Sequence, residues 1–193
     1  MAAESSVVVV GAGHAGGQVA VALREQGHRG PITVVGAESV APYQRPPLTK
    51  AYLAGKTDVE GLLLRKESYY QANDVELVLD DPVAVIDRAA RVVVLSSGRT
   101  LGFGDLVLAT GASPRTLPGT FSLRTIADVD AVRARLDGPS RVVVIGAGFI
   151  GLEFAAVAKE QGHDVTVVEA LPRAMARAVT PFTSAHVVSV HER

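Results

Sequence analysis

The stretch Val7-Val8-Val9-Val10-Gly11-Ala12-Gly13-His14-Ala15-Gly16 decides the fold. Four β-branched residues in succession read as a strand buried on both faces. Gly11, Gly13 and Gly16 then take the G-x-G-x-x-G spacing, and each glycine has its own physical reason. The first lets the chain turn sharply out of the strand, the second leaves room for a pyrophosphate to approach the backbone, and the third lets the following helix press onto the sheet. The start of that helix offers free N–H groups and the positive end of its dipole to the anion. A single such match also fits a tight strand–helix turn with no ligand; its place after a strand and before a helical stretch favours the dinucleotide reading.

The same device occurs a second time. Arg141 to Gly151 reads Arg-Val-Val-Val-Ile-Gly-Ala-Gly-Phe-Ile-Gly, so Gly146, Gly148 and Gly151 repeat the first three glycines. Gln26-Gly27-His28 recurs as Gln161-Gly162-His163, and Thr33-Val34-Val35 as Thr166-Val167-Val168. Two βαβ units in one chain imply two dinucleotide sites, one for a cofactor held tightly and one for a cofactor that visits.

Composition narrows the class. The chain has 193 residues, 48% hydrophobic and 20% charged, with a net charge of −1, which fits an ordinary α/β domain or two small ones. A balance so close to neutral gives no reason to expect nucleic acid or an anionic membrane as a partner. The run Val7–Val10 is too short for a signal peptide or a membrane span, so a cytoplasmic location is expected. There are no cysteines, which rules out disulfides, thiolate metal sites and cysteine-based redox chemistry within this chain. The five histidines form no ligand cluster, and no metal site is expected. His28 and His163 sit at matching helix ends and are expected to be solvated, while His14 is expected to pack within the first glycine turn.

Between the two units the pattern predicts a helix over 17–26, a strand over 32–35, a short helix over 66–73, and short strands over 75–79, 83–86, 92–95 and 100–102. The last two form a hairpin around the turn at Ser96–Arg99. Leu106–Ala109 reads as another buried strand ending in Thr110-Gly111, and Ser113–Arg124 as a linker. A helix over 127–136 leads into the second unit, and Pro181 opens a last helix. The ribose of a dinucleotide is gripped by a carboxylate at the end of the second strand of its unit. Glu169 follows Val168 directly, which favours a free 2′-hydroxyl and hence NADH. In the first unit the nearest acid is Glu38, two residues beyond Gly36; it is either a displaced ribose contact or a solvated loop carboxylate. The segment Ala41–Lys50, with three prolines, is stiff and carries Arg45 and Lys50, either as cations for a cofactor or as part of a surface connection.

Val7–Gly16, Pro42–Lys50 with the following Ala51-Tyr52-Leu53-Ala54-Gly55-Lys56, Leu106–Gly111, Leu123-Arg124-Thr125 and Arg141–Glu169 together resemble the FAD-dependent pyridine-nucleotide oxidoreductases. Within them, the chain is most similar to the ferredoxin reductases of bacterial oxygenase systems. The resemblance implies an α/β fold of two Rossmann-like units, FAD-binding over 1–115 and NAD-binding over 116–193, with a small antiparallel β insertion. It also implies a longer protein, so that this chain is an N-terminal portion: the remainder would complete the NADH unit, close the FAD unit and add a C-terminal domain.

By the same resemblance, Gly11, Gly13, Ala15 and Gly16 hold the FAD pyrophosphate, and Glu38 stands in for the ribose acid, which the family places at the position of Ala37. Arg45 and Lys50 lie at the flavin, Val83 meets the adenine end through its backbone, and Thr110, Gly111 and Arg124 complete the site. Gly146, Gly148, Ile150 and Gly151 bind NADH, and Glu169 its ribose. Lys50 pairs with Glu153 near the reacting rings. The implied reaction is hydride transfer from NADH to FAD, then electron delivery to a 2Fe-2S ferredoxin. The alternatives are a related flavoprotein reductase with another acceptor, or an inactive dinucleotide-binding fragment.

Overall fold

The computed structural model describes residues 5–192 and divides them into two units. One is drawn from Met1–Arg45 and Glu60–Ser113, the other from Pro46–Val59 and Pro114–Arg193.

In the first unit, β1 (Val7–Val10) is flanked on both edges. It pairs in parallel with β2 (Ile32–Val35), Val7 opposite Ile32, and with β7 (Asp105–Leu108), Val7 opposite Asp105. With β3 (Val75–Val78) beyond β2, the order is β3-β2-β1-β7. The four valines are all buried because the sheet is covered twice. Val7 and Val9 join Ile32, Val34 and Val75 in packing against Ala20 of α1 (His14–Glu25) and Tyr70 of α2 (Glu67–Ala72). Val8 and Val10 face the other way and meet Val93 and Leu95 of β5 (Val92–Leu95). That strand is the centre of a three-stranded antiparallel sheet with β4 (Val83–Asp87) and β6 (Thr100–Gly102). The predicted β insertion is therefore the second cover of the parallel sheet. An unbroken Val run is what a strand buried on both faces requires.

Helix α1 begins at His14, three residues earlier than the apolar periodicity predicts, so Gly16 and Gly17 lie inside it. Glycines lower the helical signal of the first turn, yet here they are needed. A Cβ on Gly17 would come within 2.6 Å of Pro42 Cβ. His14 is exposed rather than packed in the turn. At the other end of α1, Arg24 ties three segments together. Its guanidinium donates to the carbonyls of His28 (2.7 Å), Gly30 (2.9 Å), Asn73 (2.7 Å) and Asp74 (2.8 Å). One planar fork with fixed donors thus satisfies the turn before β2 and the turn between α2 and β3.

The second unit has a parallel pair, β8 (Arg141–Ile145) and β9 (Asp164–Val168), joined by α4 (Phe149–Glu160). It also has α3 (Ile126–Arg133), α5 (Pro181–His191) and the 3-10 turn Pro46–Thr49. No helix or strand occurs in the predicted linker Ser113–Arg124. Ala147, Leu152, Ala174 and Met175 form the core on the α5 side, where the buried Ser184 hydroxyl donates to the Ala174 carbonyl at 2.6 Å. Among the described strands β8 has one neighbour where β1 has two, and Val143 and Ile145 are 64% and 59% exposed. His163 departs from expectation: only 4% of it is exposed, and its Nδ1 accepts the Ser140 N–H at 3.2 Å. His28 is half-buried.

Replacing Arg24 by Ala strands four carbonyls and is expected to lower unfolding free energy by roughly 3 kcal/mol, the scale of charge-assisted hydrogen bonds. Urea denaturation checks this, and Arg24→Lys, a point donor in place of a fork, should recover only a fraction.

Candidate functional site

The two glycine turns are built alike, and the geometry separates their glycines by role. Gly11 and Gly146 have φ of +111° and +102°, the left-handed region that favours glycine. Their N–H groups extend the parallel ladders, to the Val35 carbonyl at 2.8 Å and the Val168 carbonyl at 2.7 Å. A Cβ on Gly16 would collide with the Gly11 carbonyl oxygen, and one on Gly151 with that of Gly146. Backbone conformation therefore favours glycine at the first position and close packing demands it at the third. Neither demands the middle ones. Gly13 and Gly148 have extended backbones at φ −83° and −85°, and nothing lies within 4 Å of the position a Cβ would take. Room kept at that point fits the close approach of a pyrophosphate.

The helix starts agree. Neither α1 nor α4 has a side-chain N-cap or an acid in its first turn. By contrast α3 has a full capping box between Thr125 and Asp128, and α5 is capped by Thr180. Helix α2 also lacks a side-chain cap but carries Glu67 in its first turn. Bare starts leave the first N–H groups and the dipole end to an anion.

In the first unit the structure brings Thr110 beside Gly11: a Gly11 Cβ would meet the Ala109 carbonyl and lie 3.1 Å from Thr110 N. Gly111 follows with φ +67°, and Ala15 is exposed on the first turn of α1. Val83 opens β4 opposite Leu95, half-buried. Glu38 is not a loose loop carboxylate. Its Oε2 accepts the Tyr43 hydroxyl at 2.6 Å and its Oε1 accepts from Arg45 at 2.7 Å, while the Arg45 guanidinium also lies 5.1 Å from the Tyr43 ring centre. Tyr43 is the member of this group that sequence reasoning missed; an aromatic hydroxyl inside a proline-rich run carries no signal of its partner.

In the second unit Glu169 returns to the glycine turn. Its carboxylate accepts Leu171 N–H and Ala147 N–H, both at 2.9 Å, and these backbone donors hold its carboxyl below the usual carboxylate range. Ile150 is 55% exposed beside Gly148. Lys50 Nζ lies 2.7 Å from Glu153 Oε2, and Thr49 Oγ1 donates to the same oxygen at 2.6 Å. Partial burial of Glu153 pushes its carboxyl up, but the hydrogen bonds from Lys50 and Thr49 and the Lys50 charge outweigh this, and it stays below the ordinary 4.5. Thr49 was not legible in sequence because its partner is remote along the chain. Arg124 sits just before α3, where its N–H donates to Asp128 Oδ2 at 3.0 Å.

Among the described residues no group of three or more His, Asp or Glu side chains could hold a metal ion, and no helix is long and apolar enough to cross a membrane.

Two βαβ units, each with a Gly-x-Gly-x-x-Gly turn between its first strand and its helix, define a protein of the α/β class with two Rossmann-like units. The sequence profile of the family described as pyridine nucleotide-disulphide oxidoreductase matches residues 5–193, and the chain belongs to that family. It is 46% identical to a ferredoxin–NAD(P)(+) reductase of Sphingomonas sp. over 89% of this chain and 43% of that protein. It is 45% identical to rhodocoxin reductase of Rhodococcus erythropolis over 96% of this chain and 45% of that protein. Among solved structures, the covalent putidaredoxin reductase–putidaredoxin complex superposes with a TM-score of 0.92 at 41% identity, covering 98% of this chain and 48% of the matched one. The chain thus spans a little under half the length of these relatives.

Gly16→Ala and Gly151→Ala are expected to lose at least about 2 kcal/mol of stability through forced overpacking, while Gly13→Ala and Gly148→Ala should each lose under about 1 kcal/mol. Chemical denaturation of the four variants checks the division. The Glu153 pair gives a pH signature. A carboxyl lowered in the folded state contributes stability that is complete above about pH 4.5 and is lost as pH falls through the lowered value. Glu153→Gln should therefore show a shallower loss of stability than the parent between about pH 5 and pH 3, measured by thermal melts across that range.

Proposed function

We propose that this chain is the dinucleotide-binding portion of an FAD-dependent NADH:ferredoxin oxidoreductase, the electron-transfer component of a cytoplasmic oxygenase system. The observation that carries the reading is the pair of bare helix starts, each with a middle glycine facing open space. They occur in a chain 46% and 45% identical to proteins named as a ferredoxin–NAD(P)(+) reductase and a rhodocoxin reductase. The FAD unit would take 1–115 and the NADH unit 116–193.

When bound, FAD supplies acceptance of a hydride from NADH and release of single electrons to a 2Fe-2S ferredoxin. The chain's own residues bind and orient. Gly11, Gly13, Ala15 and Gly16 would receive the FAD pyrophosphate on the start of α1, with Thr110 and Gly111 beside them and Val83 and Arg124 as further contacts. Glu38, held by Tyr43 and Arg45, presents a fixed carboxylate to the ribose, and Arg45 a cation toward the flavin. Gly146, Gly148, Ile150 and Gly151 would receive NADH on the start of α4. Glu169, already a hydrogen-bond acceptor at that turn, favours a ribose hydroxyl over a 2′-phosphate by charge.

Lys50 would counter negative charge developing on the reduced ring. Glu153 and Thr49 restrain that ammonium, since Glu153 accepts from both at once. No thiol–disulfide step can run on this chain's residues, because it has no cysteine.

The test is the absorption spectrum of the purified chain after incubation with FAD and desalting, followed by anaerobic NADH. Retained flavin bands that bleach with NADH, and bleach far more slowly with NADPH, are expected. Gly13→Ala should retain less flavin while staying folded, and Glu169→Ala should narrow the preference for NADH. Absence of retained flavin in the folded parent would instead identify an inactive dinucleotide-binding fragment.

A further inference from the structure

The second unit carries a cavity of about 330 Å³ that none of the roles above uses. It lies where the end of the Pro46–Val59 segment meets the C-terminal parts of α3 and α4, and its apolar wall includes Leu53 and Leu136. Its polar lining is unusual in one respect. His163, 96% buried by its 4% exposure, lines it. Because His163 Nδ1 accepts the Ser140 N–H, the neutral ring must carry its proton on Nε2. That N–H has no partner among the described residues and is not one of the polar atoms sealed from solvent, on a ring that lines the cavity.

With no acceptor from the described chain, that N–H is left to water or to a ligand in the cavity. Arg133 lines the same cavity, with a terminal nitrogen 3.7 Å from where a Cβ on Gly55 would stand. It is held loosely: its guanidinium lies 3.9 Å from Asp130 and 5.7 Å from the Tyr52 ring centre. Asp130 is further occupied, accepting the Tyr52 hydroxyl at 2.9 Å. The third polar group, Gln161, donates weakly to the Leu53 carbonyl at 3.5 Å. The cavity therefore sets two donors, one of them cationic, against an aliphatic wall, at a volume suited to a small molecule.

We propose that this cavity binds a small organic carboxylate, with the carboxylate taken by His163 Nε2–H and the Arg133 guanidinium and the hydrocarbon part against Leu53 and Leu136. Such a ligand would pin the segment that carries Lys50 to the ends of α3 and α4. The site is independent of the dinucleotide turns.

Butyrate is the probe, titrated into the isotope-labelled chain, with the Gly55 and Gly138 amides and the His163 ring followed by NMR. Saturating shifts at all three, absent with butan-1-ol, are expected. Arg133→Gln, a change at an exposed side chain, should weaken butyrate at least about tenfold, the loss of one charge-assisted bond. The proposal is overturned if the shifts do not saturate, if butan-1-ol or inorganic phosphate binds as well as butyrate, or if Arg133→Gln binds unchanged.

Discussion

The close approach of a helix to the mouth of its own strand is the contact on which both units depend. In each, the third glycine sits against the carbonyl oxygen of the first, so near that a single methyl group at Gly16 or Gly151 would collide with it. That contact fixes the direction of α1 and α4, and the direction of each helix sets where its unpaired N–H groups point. The first glycine's positive φ turns the chain out of the strand, and its N–H remains on the ladder to the neighbouring strand. The open helix starts are a by-product of this close packing.

Much of this was legible in sequence because period and glycine spacing report directly on backbone geometry. Val7–Val10 announced a strand buried on both faces, and the repeated fingerprint announced two such units. What covers the second face of the sheet was not legible, since Val93 and Leu95 read equally well as an ordinary hairpin until they are seen against Val8 and Val10. The apolar periodicity starts α1 late because glycines depress helical signal where close packing requires them. Side-chain partners were the least legible. Nothing in Arg24 predicts four carbonyls, and nothing in the matched helix ends separates half-buried His28 from buried His163, whose environment depends on Ser140.

The repeat also shows how one device diverges. In the first unit the strand-end position next to the glycine turn is Gly36, where Ala12 Cβ would stand 2.6 Å from an added Cβ. In the second it is Glu169, which turns back to accept Ala147 N–H. The acid of the first unit is displaced to Glu38 and steadied by Tyr43 and Arg45. Equal backbones thus carry carboxylates of different reach. Around β8 the divergence is in neighbours: Gly146 has nothing beside it where Gly11 has the Ala109 carbonyl.

The bare starts of α1 and α4 have a chemical corollary. A dipole end with free N–H groups recognises charge and oxygen geometry, and it does not distinguish a dinucleotide's pyrophosphate from a sulfate in the medium. Helices α3 and α5, stoppered by their own threonines, have no such appetite. A dinucleotide received at those two starts would therefore compete with the anions of the surrounding solution, and its apparent strength would be a property of the protein and its counter-ions together.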